Sequence, residues 1–252
     1  MARAALRRRL TWQRAEVAAV TRESARAFRL SIRPPEWPGH LPGQHLDVRL
    51  TAVDGYTAQR SYSIASPPER PGVDLVVERL EDGEVSPYLT DVLRPGDPLA
   101  VRGPIGGYFV WPYDGVATAA AAPVQLVAGG SGVVPFLAML GHHRATGSAV
   151  EVRLLYSART LEDVIGRAEL DASGAAVSLT LTRAAPAGWT GLTGRVDRAM
   201  LGARTIAPAR GPRVLVCGPT AFVEAVAGEL VAMGHDPGRV RTERFGATGG
   251  PA

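Results

Sequence analysis

Apolar and polar positions follow two patterns along this chain, and the pattern changes shortly after residue 110. From Thr11 to about Gly103 the apolar residues fall in short β-type stretches: Ala27 to Ile32, His45 to Leu50, Gln59 to Ala65, Val73 to Arg79 and Pro98 to Arg102. Breaks such as Pro34-Pro35, Pro67-Pro68 and Pro95-Gly96 separate them. Short strands punctuated this way predict a small antiparallel barrel. One brief helix is expected near Ser86, a good N-cap residue, with Tyr88, Leu89 and Val92 as its apolar face.

From Val124 onward, apolar strands (Val124 to Ala128, Val150 to Tyr156, Val177 to Leu181, Val214 to Cys217) alternate with helical stretches (Phe136 to Arg144, Leu161 to Leu170, Arg195 to Leu201, Thr220 to Met233). A last strand is expected at Val240 to Glu243. Such alternation predicts right-handed crossovers and a parallel sheet, which binds ligands at the carboxyl ends of its strands. The expected organisation is a basic tail at 1–10, an antiparallel β-barrel domain at 11–112, a linker at 113–123 with an aperiodic Ala run, and an α/β parallel-sheet domain at 124–252.

Composition narrows the chemistry. The 252 residues suffice for two cores of roughly 100–150 residues each. No run approaches the ~20 apolar residues of a membrane span. Arg3, Arg7, Arg8 and Arg9 are followed by the polar Thr11-Trp12-Gln13-Arg14 instead of a secretory apolar region, so a cytoplasmic protein is expected. The net charge of +4 is compatible with steering of an acidic electron-transfer partner, but a compositional bias toward arginine is the stronger reading. Every basic residue is arginine and they are scattered, which gives no nucleic-acid patch. The single cysteine, Cys217, cannot supply the four thiolates of an iron–sulfur cluster, nor a c-type haem attachment, and five scattered histidines give no metal pattern.

Three motifs carry the candidate chemistry. Gly129-Gly130-Ser131-Gly132-Val133-Val134-Pro135 joins an apolar run to a helix, where backbone N–H groups and the helix dipole suit a pyrophosphate. Pro135 stands where the usual fingerprint has its third glycine, and Pro is at home in a first helical turn. The same turn also describes a plain tight connection. Arg60-Ser61-Tyr62-Ser63 offers a guanidinium for phosphate, an aromatic plane for stacking on isoalloxazine and a hydroxyl for a ring nitrogen, or simply an alternating strand. Cys217-Gly218-Pro219 follows a later apolar run, where Cys217 also reads as a small buried hydrophobe.

Together with Gly83-Glu84-Val85-Ser86, Gly103-Pro104-Ile105-Gly106, Tyr156-Ser157-Ala158-Arg159 and Glu243-Arg244-Phe245-Gly246, these motifs stand in an order that resembles the ferredoxin–NADP⁺ reductase superfamily. The resemblance runs from Trp12 to Gly250 and, within the superfamily, is to the stand-alone reductases of bacterial oxygenase systems. It implies an FAD-binding barrel followed by an NAD(P)-binding α/β domain. By this resemblance Arg60 and Ser61 belong to the flavin motif, with Arg60 on the phosphate, Tyr62 on the isoalloxazine and Ser63 near N5. Val76, Val77 and Glu78 line the cofactor, and Gly83, Glu84, Val85 and Ser86 meet the FAD pyrophosphate. Gly130, Ser131 and Gly132 carry the nicotinamide dinucleotide, with Ser157 in the following strand motif and Cys217, Gly218 and Pro219 beside the nicotinamide. Glu243 assists hydride transfer and Phe245 covers the ring, so Ser63, Cys217, Glu243 and Phe245 are the expected catalytic group.

Dinucleotide choice turns on the adenosine 2′ position, where arginine suits a phosphate and a carboxylate a hydroxyl. Arg159 and Arg167 favour NADPH, while the neighbouring Glu162 and Asp163 keep NADH as the other candidate. The implied enzyme is an NAD(P)H-dependent flavoprotein reductase serving a separate acceptor, such as a ferredoxin, an oxygenase component or another redox protein. A flavin or quinone reductase acting on small molecules, and a non-catalytic flavin- or nucleotide-sensing module, are the alternatives.

Overall fold

The computed structural model describes residues 10–112 and 120–246. Most of the expected basic tail and of the linker at 113–123 lies outside the described residues.

Six strands form the first sheet: β1 (Gln13–Arg22), β2 (Ala27–Arg33), β3 (His45–Thr51), β4 (Thr57–Ser63), β5 (Val73–Glu78) and β6 (Pro98–Ile105). Their order is β4-β3-β6-β1-β2-β5, every pairing is antiparallel, and an Ile64–Leu75 bridge brings the two edges together as a barrel. Alternate residues fill the interior, including Leu30 and Ile32, Leu46 and Val48, and Leu99 and Val101. β5 reads as a nearly continuous apolar run because both of its faces are covered. Val73, Leu75 and Val77 point into the barrel, and Val76 packs into the core shared with the second domain.

β1 was not among the expected strands. Its register slips between Val17 and Ala19, so the inward sequence Ala15, Val17 resumes out of phase at Val20. The expected helix is a single turn at Tyr88–Val92 with a different buried face: Val85, Leu89 and Leu93 are buried, whereas Tyr88 and Val92 are exposed. Residues four apart stack on one side of the turn. Ser86 does not cap it; its hydroxyl accepts the Leu80 N–H at 3.1 Å and closes the preceding loop.

The second sheet holds β7 (Val124–Gly129), β8 (Val152–Ala158), β9 (Ala176–Leu181), β10 (Leu192–Thr193), β11 (Arg213–Pro219) and β12 (Val240–Phe245), all parallel, in the order β10-β9-β8-β7-β11-β12. The chain starts at β7, works outward to β10, then returns to β11 on the other side, so strand order reverses between β7 and β11. Helices α1 (Val134–Ala145), α2 (Arg167–Asp171), α3 (Arg198–Arg204) and α4 (Thr220–Ala232) complete the domain. The helix expected over Leu161 to Leu170 is broken at Gly166, whose φ of +70° is left-handed. A Cβ there would lie 2.4 Å from Leu137 Cδ2, so close packing against α1 demands glycine. The helix expected from Arg195 begins instead at Arg198, because Asp197 caps it by accepting the Met200 N–H at 2.7 Å.

The two domains share one core: Ala27, Ala65, Val76, Phe109 and Trp111 of the first half pack with α1, β7 and β8 of the second. An ionic staple reinforces this. Arg29 reaches Glu23 (2.7 Å), Asp74 (3.4 Å) and Glu169 (2.5 Å), while Glu23 Oε1 accepts the Gly166 N–H at 2.9 Å. Among the described residues, no helix is long and apolar enough to cross a membrane.

Candidate functional site

A cavity of about 520 Å³ opens where the strand order reverses, at the carboxyl ends of β7, β8 and β11. Ser24, Arg26, Ala27 and Glu78 form its barrel wall, while Gly129, Gly130, Ser131, Ser157, Arg159, Pro219 and Phe245 come from the sheet.

Glycines shape the sheet side because neighbouring groups leave no room for a side chain. A Cβ at Gly132 would stand 2.2 Å from the Cys217 carbonyl oxygen, so the turn after β7 lies directly on the end of β11. Cβ atoms at Gly129 and Gly218 would each stand 2.8 Å from the Phe222 ring, which wedges between the two strand ends. Above Gly130, by contrast, a Cβ would meet nothing within 4 Å, and its φ of +55° turns the backbone under that open space. The turn Gly130–Val133 runs straight into α1, with Pro135 in its first turn. A backbone cradle at a helix start, open on one side, suits a phosphate.

At the neighbouring strand end, parallel register sets Glu243 of β12 beside Cys217 of β11. Burial raises the Glu243 carboxyl to about 7, and its Oε2 is buried with no hydrogen-bond partner. Burial and the Glu243 charge together push the Cys217 thiol well up, so it stays protonated at neutral pH. Phe245, two residues past Glu243, is half-buried on the cavity wall. An unpartnered buried carboxylate oxygen is costly; Glu243 and Cys217 themselves are not on the cavity wall, which this strand end reaches through Pro219 and Phe245.

The other expected residues gather on the barrel. Arg60 and Glu84, 24 positions apart, form a 3.1 Å ion pair, and the Tyr56 hydroxyl donates to the second Glu84 oxygen at 3.0 Å. The Arg60-Ser61-Tyr62-Ser63 and Gly83-Glu84-Val85-Ser86 segments therefore meet. Tyr62 packs on the barrel core, and burial pushes its hydroxyl up to about 12. Ser61 is committed elsewhere, donating to Asp47 Oδ1 at 2.7 Å, and Val77 and Val85 point into the barrel core. Ser63 ends β4 half-buried, opposite His45.

Two domain families match this arrangement: an oxidoreductase FAD-binding domain over residues 15–110 and an oxidoreductase NAD-binding domain over residues 126–228. A reductase, NADH-cytochrome b5 reductase 1 of Pyricularia oryzae, is 30% identical over 84% of this chain and 71% of its own length. The chain belongs to the ferredoxin–NADP⁺ reductase superfamily. It is 33% identical to the glycine betaine monooxygenase reductase subunit of Chromohalobacter salexigens over 82% of its residues, yet spans only 56% of that protein. The fold superimposes on a ferredoxin NADP⁺ reductase from Neisseria gonorrhoeae with bound FAD and NADP (TM-score 0.77, 21% identity, 92% of this chain and 98% of that one). It also superimposes on the flavohem-like FAD/NAD binding domain of nitric oxide dioxygenase from Vibrio cholerae (TM-score 0.80, 22% identity, 93% and 99%).

In this superfamily member the cavity includes wall residues that motif reading did not find. Arg26 sits in the β1–β2 connection and Thr182 follows β9, where no local pattern marks them, whereas Asp163, one of the two acidic residues weighed at the adenosine end, is on the wall as well. Arg195 lies in the loop before α3, and Phe222 three residues beyond Pro219; its place in the first turn after that motif was the available signal. Of the two arginines expected at the adenosine end, Arg159 is on the wall and Arg167, the first residue of α2, is not.

Proposed function

We propose that this protein is an FAD-dependent reductase that takes a hydride from NAD(P)H and passes electrons to a separate acceptor. One observation carries the reading: a cavity walled by the barrel on one side and by the glycine turn of the parallel sheet on the other, with Phe245 on its wall two residues from the Glu243–Cys217 pair. Bound FAD supplies hydride acceptance and one-electron release, chemistry that no side chain here can perform.

The chain's own residues bind, orient and tune. Arg60 exchanges its half-exposed partner Glu84 for a flavin phosphate; exposed pairs of this kind are worth about 0–1 kcal/mol, so the exchange is easy. Tyr62 and Ser63 present a plane and a hydroxyl at the end of β4. Gly130, Ser131 and Gly132 receive the dinucleotide phosphates, and Gly218 and Pro219 bound the nicotinamide end. Glu243, poised near pH 7, holds or releases a proton at Oε2, and the protonated Cys217 beside it adds no negative charge. Phe245 excludes water from the wall.

NADPH is favoured over NADH. Arg159 and Arg195 both line the cavity, whereas Asp163 is occupied by Arg26 and by the Thr160 hydroxyl. For the acceptor, the oxygenase reductase subunit among the relatives supports an oxygenase component or another redox protein. Anaerobic stopped-flow mixing of the yellow holoenzyme with NADPH and with NADH tests the whole reading. Bleaching of the flavin is expected, faster with NADPH; absence of bleaching with either dinucleotide would leave a sensing module.

A further inference from the structure

The cavity holds a carboxylate close to where an anion is to be received. Glu78 is the last residue of β5, and its side chain is only 24% exposed. Its Oε2 accepts the Ser131 hydroxyl at 2.9 Å, and its Oε1 lies 3.3 Å from Arg26 Nη2. Arg26 is itself shared, with Nε 3.3 Å from Asp163 Oδ1. Ser131 carries the one side-chain donor of the glycine turn, and all four residues line the same cavity.

A carboxylate and a phosphate oxygen make the same demand on Ser131: each is an anionic acceptor of its hydroxyl. They cannot both be satisfied, and side by side they repel. We propose that Glu78 is an internal competitor for the pyrophosphate cradle. It holds Ser131 in the free enzyme and yields it to the incoming dinucleotide, while Arg26 neutralises the released carboxylate. The inference rests on the reading of this cavity as the NAD(P) site, and it gives Glu78, which the resemblance counts among the flavin-lining residues, a contact to the dinucleotide turn instead. The consequence is a dinucleotide affinity set below what the cradle alone would give, which favours departure of the oxidised product.

The test compares Glu78→Gln with the unmodified holoenzyme, each at full flavin occupancy, by calorimetric titration with ADP, NADP⁺, NAD⁺ and adenosine. Glu78→Gln is expected to bind ADP and its preferred dinucleotide on the order of threefold to fivefold more tightly, the value of one partly exposed ionic contact. Adenosine, which has no phosphate, should bind unchanged. Arg26→Gln should weaken ADP binding, and the double variant should recover at least the original affinity. Unaltered or weaker ADP binding by Glu78→Gln would overturn the proposal, as would equal tightening for adenosine, which would indicate a change of shape. If the unmodified holoenzyme bound neither dinucleotide and its flavin were not reduced, the NAD(P) reading would fail first and this inference with it.

Discussion

Replacing Glu243 by Gln should make the protein more stable in alkaline solution and slower as a catalyst. Burial raises this carboxyl from its ordinary 4.5 to about 7, and one of its oxygens is buried without a partner. Its folded pKa lies above its unfolded one, so between these values the folded state binds more protons and stability falls as pH rises. Each pH unit of that interval costs about 1.4 kcal/mol, an upper bound near ~3 kcal/mol that partial solvent access reduces to about 2 kcal/mol. Gln is close to the same shape and never ionises. The variant should therefore match the parent below pH 4.5, gain through the interval, and hold an advantage of about 2 kcal/mol above pH 8. In a chain of this length that corresponds to roughly 4–8 °C in melting temperature. Thermal unfolding followed by circular dichroism from pH 4 to 8.5 reads the difference directly, and stopped-flow reduction at the same pH values reads the cost to function. A melting difference that stays constant with pH, or a variant less stable at pH 8, would refute the argument that an ionised buried carboxylate is being tolerated for function.

Three further outcomes are expected. Gly132→Ala should lower dinucleotide-dependent flavin reduction by about a hundredfold, because its Cβ would fall 2.2 Å from the Cys217 carbonyl and a displacement of about 1 Å misplaces the cradle; flavin content, set by the barrel, should remain as before, and unchanged reduction rates would contradict this. Arg60→Ala should weaken FAD retention about tenfold through loss of a charge-assisted phosphate contact, whereas Glu84→Gln should strengthen it by freeing Arg60; flavin release during dialysis measures both. Arg159→Ala and Arg195→Ala should each raise KM for NADPH more than for NADH, and equal effects on both would remove the 2′-phosphate from the account.

Local order in the chain was enough to reveal the architecture. Period-two stretches in the first half and apolar runs alternating with helical ones in the second state which faces are to be buried, and that decides between a barrel and a covered parallel sheet. The glycine turn, Arg60-Ser61-Tyr62-Ser63 and Cys217-Gly218-Pro219 were legible because each combines residue types with special backbone or charge properties within a few positions. Elements whose shape depends on distant partners were not. β1 hid behind its bulge at Val17, and the helix over 161–170 is interrupted because Gly166 turns left-handed where it packs against Leu137 of another helix. The pairings of Ser131 with Glu78, 53 residues away, and of Arg26 with Asp163, 137 residues away, have no trace in local sequence. The burial that carries Glu243 to about 7 is likewise a property of packed neighbours, since desolvation is conferred by whatever the fold places around a group and not by the group itself.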